Sequence, residues 1–190
     1  LLTIVREGPA VFGIWGGLKR VYKRAEANLD AEMWGALAAR FDELATSSRT
    51  FDVRRGTLIY LRRRAWRFLR ELGRSAPELY PQFAVEVLRN YPLQSPPLNE
   101  KAFHSELWVS NHVYMHEAGK HSGRAFENAP PTNMVKHRAF ADTWKLSPNP
   151  LMLLLETCRA DPPADFAIQG LRKDFPELLR KVTPAWLGRL

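Results

Sequence analysis

Two histidines have the spacing most suggestive of metal chemistry. His112 and His116, in the stretch NHVYMHE, are four residues apart, which would place both imidazoles on one face of a helix. Such a pair can share a zinc ion, with Glu106, Glu117 or His121 as a further ligand. Metalloproteases need H-E-x-x-H instead, with the glutamate between the histidines. These two histidines therefore allow two interpretations. They form a metal-dependent hydrolase site, or they cap the following loop or form hydrogen bonds in the core.

The other residues that could do chemistry do not form a recognisable catalytic set. Cys158 is the only cysteine, and it follows an apolar stretch, as a small buried residue would. Gly13, Gly16 and Gly17 lack the order and the preceding strand of a phosphate-binding loop. The carboxylates are scattered, and no pair of them can be assigned as acid and base. The sequence therefore predicts a non-catalytic protein with no cofactor.

Basic residues dominate one short stretch, LRRRAWRFLRELGR at 61–74, where six of fourteen residues are arginine. At about 100° per residue, the leucines, Ala65 and Phe68 fall on one face of a helix. Arg62 and Trp66 fall on a flank, where the tryptophan is expected to pack against a neighbouring helix rather than to stack on a base. The arginines of the opposite, outward face are Arg63, Arg64, Arg67 and Arg70.

The outward arginines allow two interpretations, a solvated helix face or a surface that contacts an anionic partner. Arginine is a good helix former whose stem covers apolar surface, so solvation alone explains many such runs. Contact with phosphates or with an acidic protein would use the same side chains. Nothing specifies base readout, so nucleic-acid binding would be directed at the backbone. The predicted surface also includes Lys19, Arg20, Lys23, Arg24, Arg54 and Arg55.

Charge is unevenly distributed along the 190 residues, whose net charge is +8. Residues 1–74 contain 15 Lys and Arg against 8 Asp and Glu, whereas residues 75–190 contain 13 against 12. The positive excess therefore belongs to the N-terminal part. It favours an anionic partner there, which is an acidic protein, another domain of the same longer chain, or DNA or RNA.

Composition is that of a globular protein, with 45% hydrophobic residues, enough for a sizeable core. No apolar run approaches the ~18 residues of a membrane span, and no signal peptide is visible. A single cysteine predicts a reducing compartment and a cytoplasmic location. The chain begins with Leu and ends just after a helix start at Thr183 and Pro184, which predicts a piece of a longer protein.

Helix signals punctuate the chain, and no run shows the alternation of a strand. The class prediction is all-α, in one domain over residues 1–190 with a candidate subdivision at the linker 91–99. The third helix is expected to end at Gly73, before a capping box at Ser75-Ala76-Pro77-Glu78. The predicted helices are Val11–Ala27, one capped by Asp30, Thr57–Leu72, Gln82–Asn90, and others near 103–116, 139–145, 149–158, 161–173 and 174–182.

Short helices joined by Asp-Pro turns suggest stacked antiparallel hairpins, in a HEAT-like α-solenoid or an irregular helical bundle. Successive tryptophans from position 66 onward are separated by 42, 36 and 42 residues, close to the ~40–47-residue period of HEAT and armadillo repeats. The loop 117–135 is the longest in the chain, and loops of that length are often functional. It is therefore a second candidate surface.

Two stretches resemble known helical-repeat proteins. RADPPADFAIQGLRKDFPELL at 159–179 resembles the inner part of a HEAT-type repeat. Together with YLRRRAWRFLRELG at 60–73, it resembles helical segments of bacterial proteins that carry a WGR domain elsewhere in the chain. The resemblance implies a helical-repeat region of a cytoplasmic bacterial protein and no defined reaction.

The leading functional prediction is a non-catalytic scaffold or interaction module that contacts a partner through its basic N-terminal surface. The alternative is a module that binds the nucleic-acid backbone. The second alternative is the hydrolase site around His112 and His116. No association with a membrane is expected.

Overall fold

The computed structural model describes residues 2–7, 12–46, 53–91, 135–136 and 138–188. These residues form helices and turns without a strand, which confirms the all-α prediction for this part of the chain. The helices are α1 (Leu2–Glu7), α2 (Phe12–Ala27), α3 (Ala31–Thr46), α4 (Arg55–Ser75), α5 (Tyr80–Leu88), a 3-10 helix (Thr143–Lys145), α6 (Asn149–Thr157), α7 (Asp161–Asp174), α8 (Pro176–Arg180) and α9 (Pro184–Leu187).

Three predicted features lie outside the described residues. They are the helix near 103–116, most of the linker 91–99 and nearly all of the loop 117–135. Among the helices that the structure does describe, none is both long enough and apolar enough to cross a membrane.

Side-chain caps start two of the helices where the sequence predicts them. Asp30 precedes α3, and its Oδ1 accepts a hydrogen bond from the Met33 N–H at 3.1 Å. Thr183 precedes α9, and its Oγ1 accepts one from the Trp186 N–H at 3.3 Å. Each cap satisfies a backbone donor that has no partner inside its own helix.

The end of α4 differs from the prediction. Gly73 does not end the helix, which continues to Ser75. A Cβ at position 73 would collide with the ring of Phe140, so this glycine serves close packing and not a turn. Ser75 forms no capping box, because its hydroxyl donates to the Glu71 carbonyl oxygen at 2.9 Å. Helix α5 begins at Tyr80, two residues before the predicted start at Gln82.

Helices α3 and α5 hold the described part of the chain together. Helix α3 packs against α1, α2, α4 and α5. Its Gly35 permits a close approach to α5, because a Cβ there would strike Glu86. Helix α5 is buried along almost its whole length and also packs against α6, which packs against α7. Helix α5 therefore joins the N-terminal helices to the C-terminal ones.

Aromatic rings fill the core on both sides of α5. The Phe83 ring lies 5.4 Å from that of Trp34 on the N-terminal side, measured between centroids. The Tyr80 ring lies 4.7 Å from Phe140 and 5.9 Å from Trp144 on the other side. Because Tyr80 and Phe83 both belong to α5, the two groups of rings are parts of one continuous core.

Candidate binding surface on helices α2 and α4

Helix α4 separates a buried face from an exposed face, as its periodicity predicts. The buried face consists of Leu58, Leu61, Ala65, Leu69 and Leu72, each at most 5% exposed. Arg63 and Arg67 are exposed. Neither guanidinium group pairs with a carboxylate in the part of the chain that the structure describes. The core therefore fixes α4 in place and leaves these two cations accessible to a partner.

Arg64 is not free to meet a partner, which corrects its prediction as an unpaired outward arginine. Its Nε and Nη2 donate to the Glu26 carboxylate of α2 at 3.0 and 2.7 Å. This two-bonded geometry is a strong way to pair an arginine with a carboxylate. The hydrogen bonds to Glu26 raise the pKa of Arg64. The pair links α2 to α4 and is part of the fold.

Arg70 also differs from the prediction, because two aromatic rings hold it. Its guanidinium carbon lies 5.8 Å from the Trp66 ring centroid and 5.5 Å from that of Phe140. A cation over an aromatic face is attracted by the negative electrostatic potential that the ring quadrupole creates there. Trp66 itself is half-buried and packs against the core, as expected of a flank position. The contact with Phe140 joins α4 to the segment around that residue.

Arg62, on the flank of α4, pairs with a carboxylate that the sequence did not indicate. Its Nε donates to Oδ1 of Asp42 in α3 at 2.7 Å, and the Asp42 side chain is completely buried. The Tyr91 hydroxyl donates to the other oxygen of the same carboxylate at 2.9 Å. This buried network ties together α3, α4 and the end of α5.

Helix α2 contributes the predicted cations on its outer side. Arg20, Lys23 and Arg24 are exposed and Lys19 is half-buried. Glu26 lies three residues beyond Lys23, so the two share one side of the helix. The pair between Glu26 and Arg64 therefore places that side of α2 next to α4. The exposed cations of both helices together with the half-buried Lys19, here called the basic face, are Lys19, Arg20, Lys23, Arg24, Arg63 and Arg67.

The two remaining predicted cations lie at the start of α4. Arg54 is exposed, and its carbonyl oxygen accepts the Thr57 N–H at 2.9 Å as the helix begins. Arg55 is the first residue of α4, but its side chain lies outside the described atoms.

The metal-site prediction falls outside the described residues, because His112 and His116 both belong to the segment 92–134. Within the described ranges, no group of three or more His, Cys, Asp or Glu side chains could hold a metal ion. Cys158 is half-buried, and burial raises the pKa of its thiol. A raised pKa disfavours the thiolate, which is the form that reacts.

A second concentration of arginines, which the sequence did not indicate, lines a cleft of about 340 Å³. The residues that line this arginine cleft are Arg6, Arg40, Glu43, Arg89, Asn90, Tyr91, Thr157 and Arg159. They come from α1, α3 and the ends of α5 and α6. Successive arginines of the cleft are at least 34 residues apart in the chain, so no local pattern connects them.

Comparisons with known proteins identify no relative of the chain. It matches no protein-family model, no curated protein and no solved structure. Its function is therefore argued from the geometry of the basic face and of the arginine cleft.

Proposed function

We propose that the chain is a non-catalytic interaction module whose basic face binds an acidic protein, or an acidic domain of the same longer chain. The observation that carries this proposal is the exposure of Arg63 and Arg67 on a helix whose opposite face is fixed in the core. A surface held in this way can bind a partner without rearranging, so association costs less conformational entropy.

The neighbouring cations of α2 add to the field of α4. Lys23 and Arg24 are exposed, and Glu26 of the same helix binds Arg64 of α4, with 2.7 Å between the Arg64 Nη2 and the Glu26 Oε1. Clustered charges of one sign speed the encounter with a partner of opposite sign and fix its orientation. The face is therefore suited to electrostatic recognition of an acidic surface.

A charge-neutralising pair of substitutions tests this proposal. Binding of a fluorescent oligoglutamate peptide is measured by anisotropy at low salt, for the native chain and for Arg63→Gln/Arg67→Gln. The matched control is Arg172→Gln/Lys173→Gln, which removes the same charge from exposed positions of α7. We expect the α4 variant alone to bind about tenfold more weakly. Equal weakening in both variants would contradict a localised binding face.

A second candidate function, binding to the backbone of nucleic acid, is favoured by Tyr60. This side chain is 48% exposed, and its hydroxyl lies 3.5 Å from the Arg64 Nη1. An exposed ring among cations is typical of surfaces that bind single strands by stacking. Affinity for random-sequence single strands and duplexes should fall with salt, and Arg63→Gln/Arg67→Gln should reduce the duplex slope by about 2. Binding without a salt dependence would rule this candidate out.

For the architecture, we propose a stacked helical array of the HEAT type within a cytoplasmic bacterial protein. Its support is that the extensive contacts join helices that, counted among the described helices alone, are adjacent or separated by one other helix, as stacking of successive hairpins requires. Small-angle scattering tests it. A compact globule of 190 residues would have a radius of gyration of about 16 Å, and an elongated array would exceed that value.

The hydrolase hypothesis stays a prediction, since no described residue bears on His112 and His116. Metal analysis of protein expressed in zinc-supplemented medium tests it. A zinc content near zero would remove it.

A further inference from the structure

The arginine cleft differs from the basic face in shape and in origin. Its volume of about 340 Å³ lies at the lower end of the ~300–1,000 Å³ that is usual for small-molecule sites. Arg6 comes from the last turn of α1 and Arg40 from α3. Arg89 directly follows α5, and Arg159 lies two residues beyond α6. Four separate segments thus bring guanidinium groups to one concave site.

Positive charge exceeds negative charge among the residues that line the cleft. Glu43 is the one carboxylate among the described residues of the lining, and its Oε2 accepts a hydrogen bond from Arg40 Nη1 at 2.7 Å. Arg6 and Arg159 are exposed, and no carboxylate pairs with either of them within the described ranges. At least two cations are therefore available to an anion that enters the cleft.

Two carboxylates outside the lining hold Arg89 in position. Its Nε donates to Glu86 at 2.6 Å, and its Nη2 lies 3.4 Å from Glu32. The Glu86 side chain is 11% exposed whereas that of Glu32 is 52% exposed, so the first contact is firm and the second is screened by water. Arg89 can therefore exchange Glu32 for a ligand while the bond to Glu86 keeps the Arg89 guanidinium group oriented.

We propose that the arginine cleft binds a small phosphorylated molecule with at least two negative charges, held between Arg6, Arg89 and Arg159. The planar fork of each guanidinium group matches two phosphate oxygens, and Arg is favoured wherever such pairing is used. The small volume favours a low-molecular-weight ligand over a nucleic-acid duplex, which needs an extended surface.

A purely structural purpose for these arginines makes a different prediction. Helices α5 and α6 end beside the cleft, and a cation there is attracted to the partial negative charge of a helix C-terminus. That effect would stabilise the free protein and would require no ligand. Measurements with and without an anion therefore separate the two explanations.

Titration calorimetry with inorganic pyrophosphate tests the proposal on the 190-residue chain at low salt. We expect saturable binding at one site, weakened at least about tenfold by Arg6→Gln/Arg159→Gln because two charge-assisted contacts are lost. The same loss of charge on α7, Arg172→Gln/Lys173→Gln, should have little effect. Glu43→Gln should strengthen binding, because it removes a carboxylate from the lining.

A check of the fold, control variants and further ligands complete the test. Circular dichroism checks the fold of each variant, and Arg6→Lys/Arg159→Lys, which keeps the charge, should retain part of the affinity. Arg63→Gln/Arg67→Gln should leave pyrophosphate binding unchanged, which separates the cleft from the basic face. Tighter binding of ATP than of inorganic triphosphate would identify a nucleotide, and equal binding would identify the phosphate chain itself. An absence of saturable binding, or an equal loss in the α7 control, would overturn the proposal.

Discussion

The basic face and the arginine cleft use the same kind of side chain in two geometries. The face is the outer side of two neighbouring helices, where Arg63 and Arg67 stand in water. The cleft is concave and gathers guanidinium groups around a volume of about 340 Å³. An open helix surface can guide a large partner by its field, whereas a concave cleft can surround a small anion. The difference teaches that shape, more than arginine content, separates the two proposed ligands.

The two regions also differ in how many of their arginines serve the fold. On α4, Arg62 and Arg64 bind the carboxylates of Asp42 and Glu26. In the cleft, Arg6 and Arg159 make no such pair within the described residues. The helix with the densest arginine run therefore uses much of its charge internally, and a cleft built from isolated arginines keeps more of its charge for a ligand.

The largest expected difference in the free energy of unfolding is between substitutions of two adjacent arginines of α4. Arg62→Ala leaves the completely buried Asp42 carboxylate without its cation, so we expect a loss of about 3 kcal/mol in the free energy of unfolding. Arg63→Ala, at the next and exposed position, should change it by less than about 0.5 kcal/mol. Urea denaturation measures both. Similar losses would contradict the division of α4 into structural and accessible arginines.

The second effect is alkaline destabilisation from Tyr22, which lies beneath the basic face. Burial, helped by the charge of Glu26, raises the pKa of Tyr22 above its usual range. Above pH ~10 the unfolded chain loses this proton while the folded protein keeps it, so stability falls by about 1.4 kcal/mol per pH unit. Tyr22→Phe should reduce the measured slope by that amount.

The control for Tyr22 is Tyr60→Phe, at an exposed position of the same face. The slope of its stability against pH is measured between pH 10 and 11 beside that of Tyr22→Phe. An unchanged slope in Tyr22→Phe would show that the buried phenol is not responsible. Burial also raises the pKa of Tyr80, so alkaline loss should persist at a reduced slope.

A smaller effect should distinguish Arg64 from Arg67. Arg64→Ala breaks a half-buried pair with Glu26, for which we expect a loss of about 1 kcal/mol. Arg67→Ala removes the same charge from an exposed position with no such pair in the described residues, and should have almost no effect on stability. Thermal and urea denaturation of both variants compare them. Equal losses would mean that the contact with Glu26 does not contribute.

The smallest effect on stability should come from Glu86, which binds Arg89 of the arginine cleft. Burial raises the pKa of this carboxyl above its usual value, although the bond to Arg89 opposes the shift. As pH falls through the raised folded value towards ~4.3, the folded state takes up the proton before the unfolded chain does. Glu86 therefore favours stability more at mildly acidic pH than at neutral pH, the opposite sense from an ordinary paired carboxylate.

Substitution tests the sign of the Glu86 effect. Glu86→Gln should remove this part of the pH dependence, while Glu78→Gln, at an exposed position, should preserve it. Urea midpoints between pH 5 and 7 measure the difference. If Glu86→Gln gained stability relative to the native chain as pH falls, the raised pKa of Glu86 would be contradicted.

Local sequence predicted those features that local forces control. The apolar spacing of α4 identified Leu58, Leu61 and Leu69 as core residues, because the helical period alone decides which side chains share a face. The cap at Asp30 was predictable for the same reason, since its partner is only three residues away. Exposure of Arg63 and Arg67 followed from the period of α4 and needed no knowledge of another helix.

Predictions failed where a distant segment intervened. A glycine such as Gly73 is typical of the position just after a helix. Phe140, 67 residues away in the chain, packs against it instead, and α4 continues. Arg64 has the spacing of an outward cation, but Glu26 binds it from 38 residues away. In both cases a contact between elements outweighed the local preference, which is worth only about 1 kcal/mol per residue.

The sequence by itself determined the helical class within the described residues, the core face of α4 and the concentration of positive charge in the N-terminal part. Tertiary structure alone decided which arginines are accessible and which are paired, and it alone brought Arg6, Arg89 and Arg159 to one cleft. The physical reason is the distance along the chain over which each interaction acts. Helical periodicity and capping act over three or four residues, whereas ion pairing and cleft formation depend on which helices pack together.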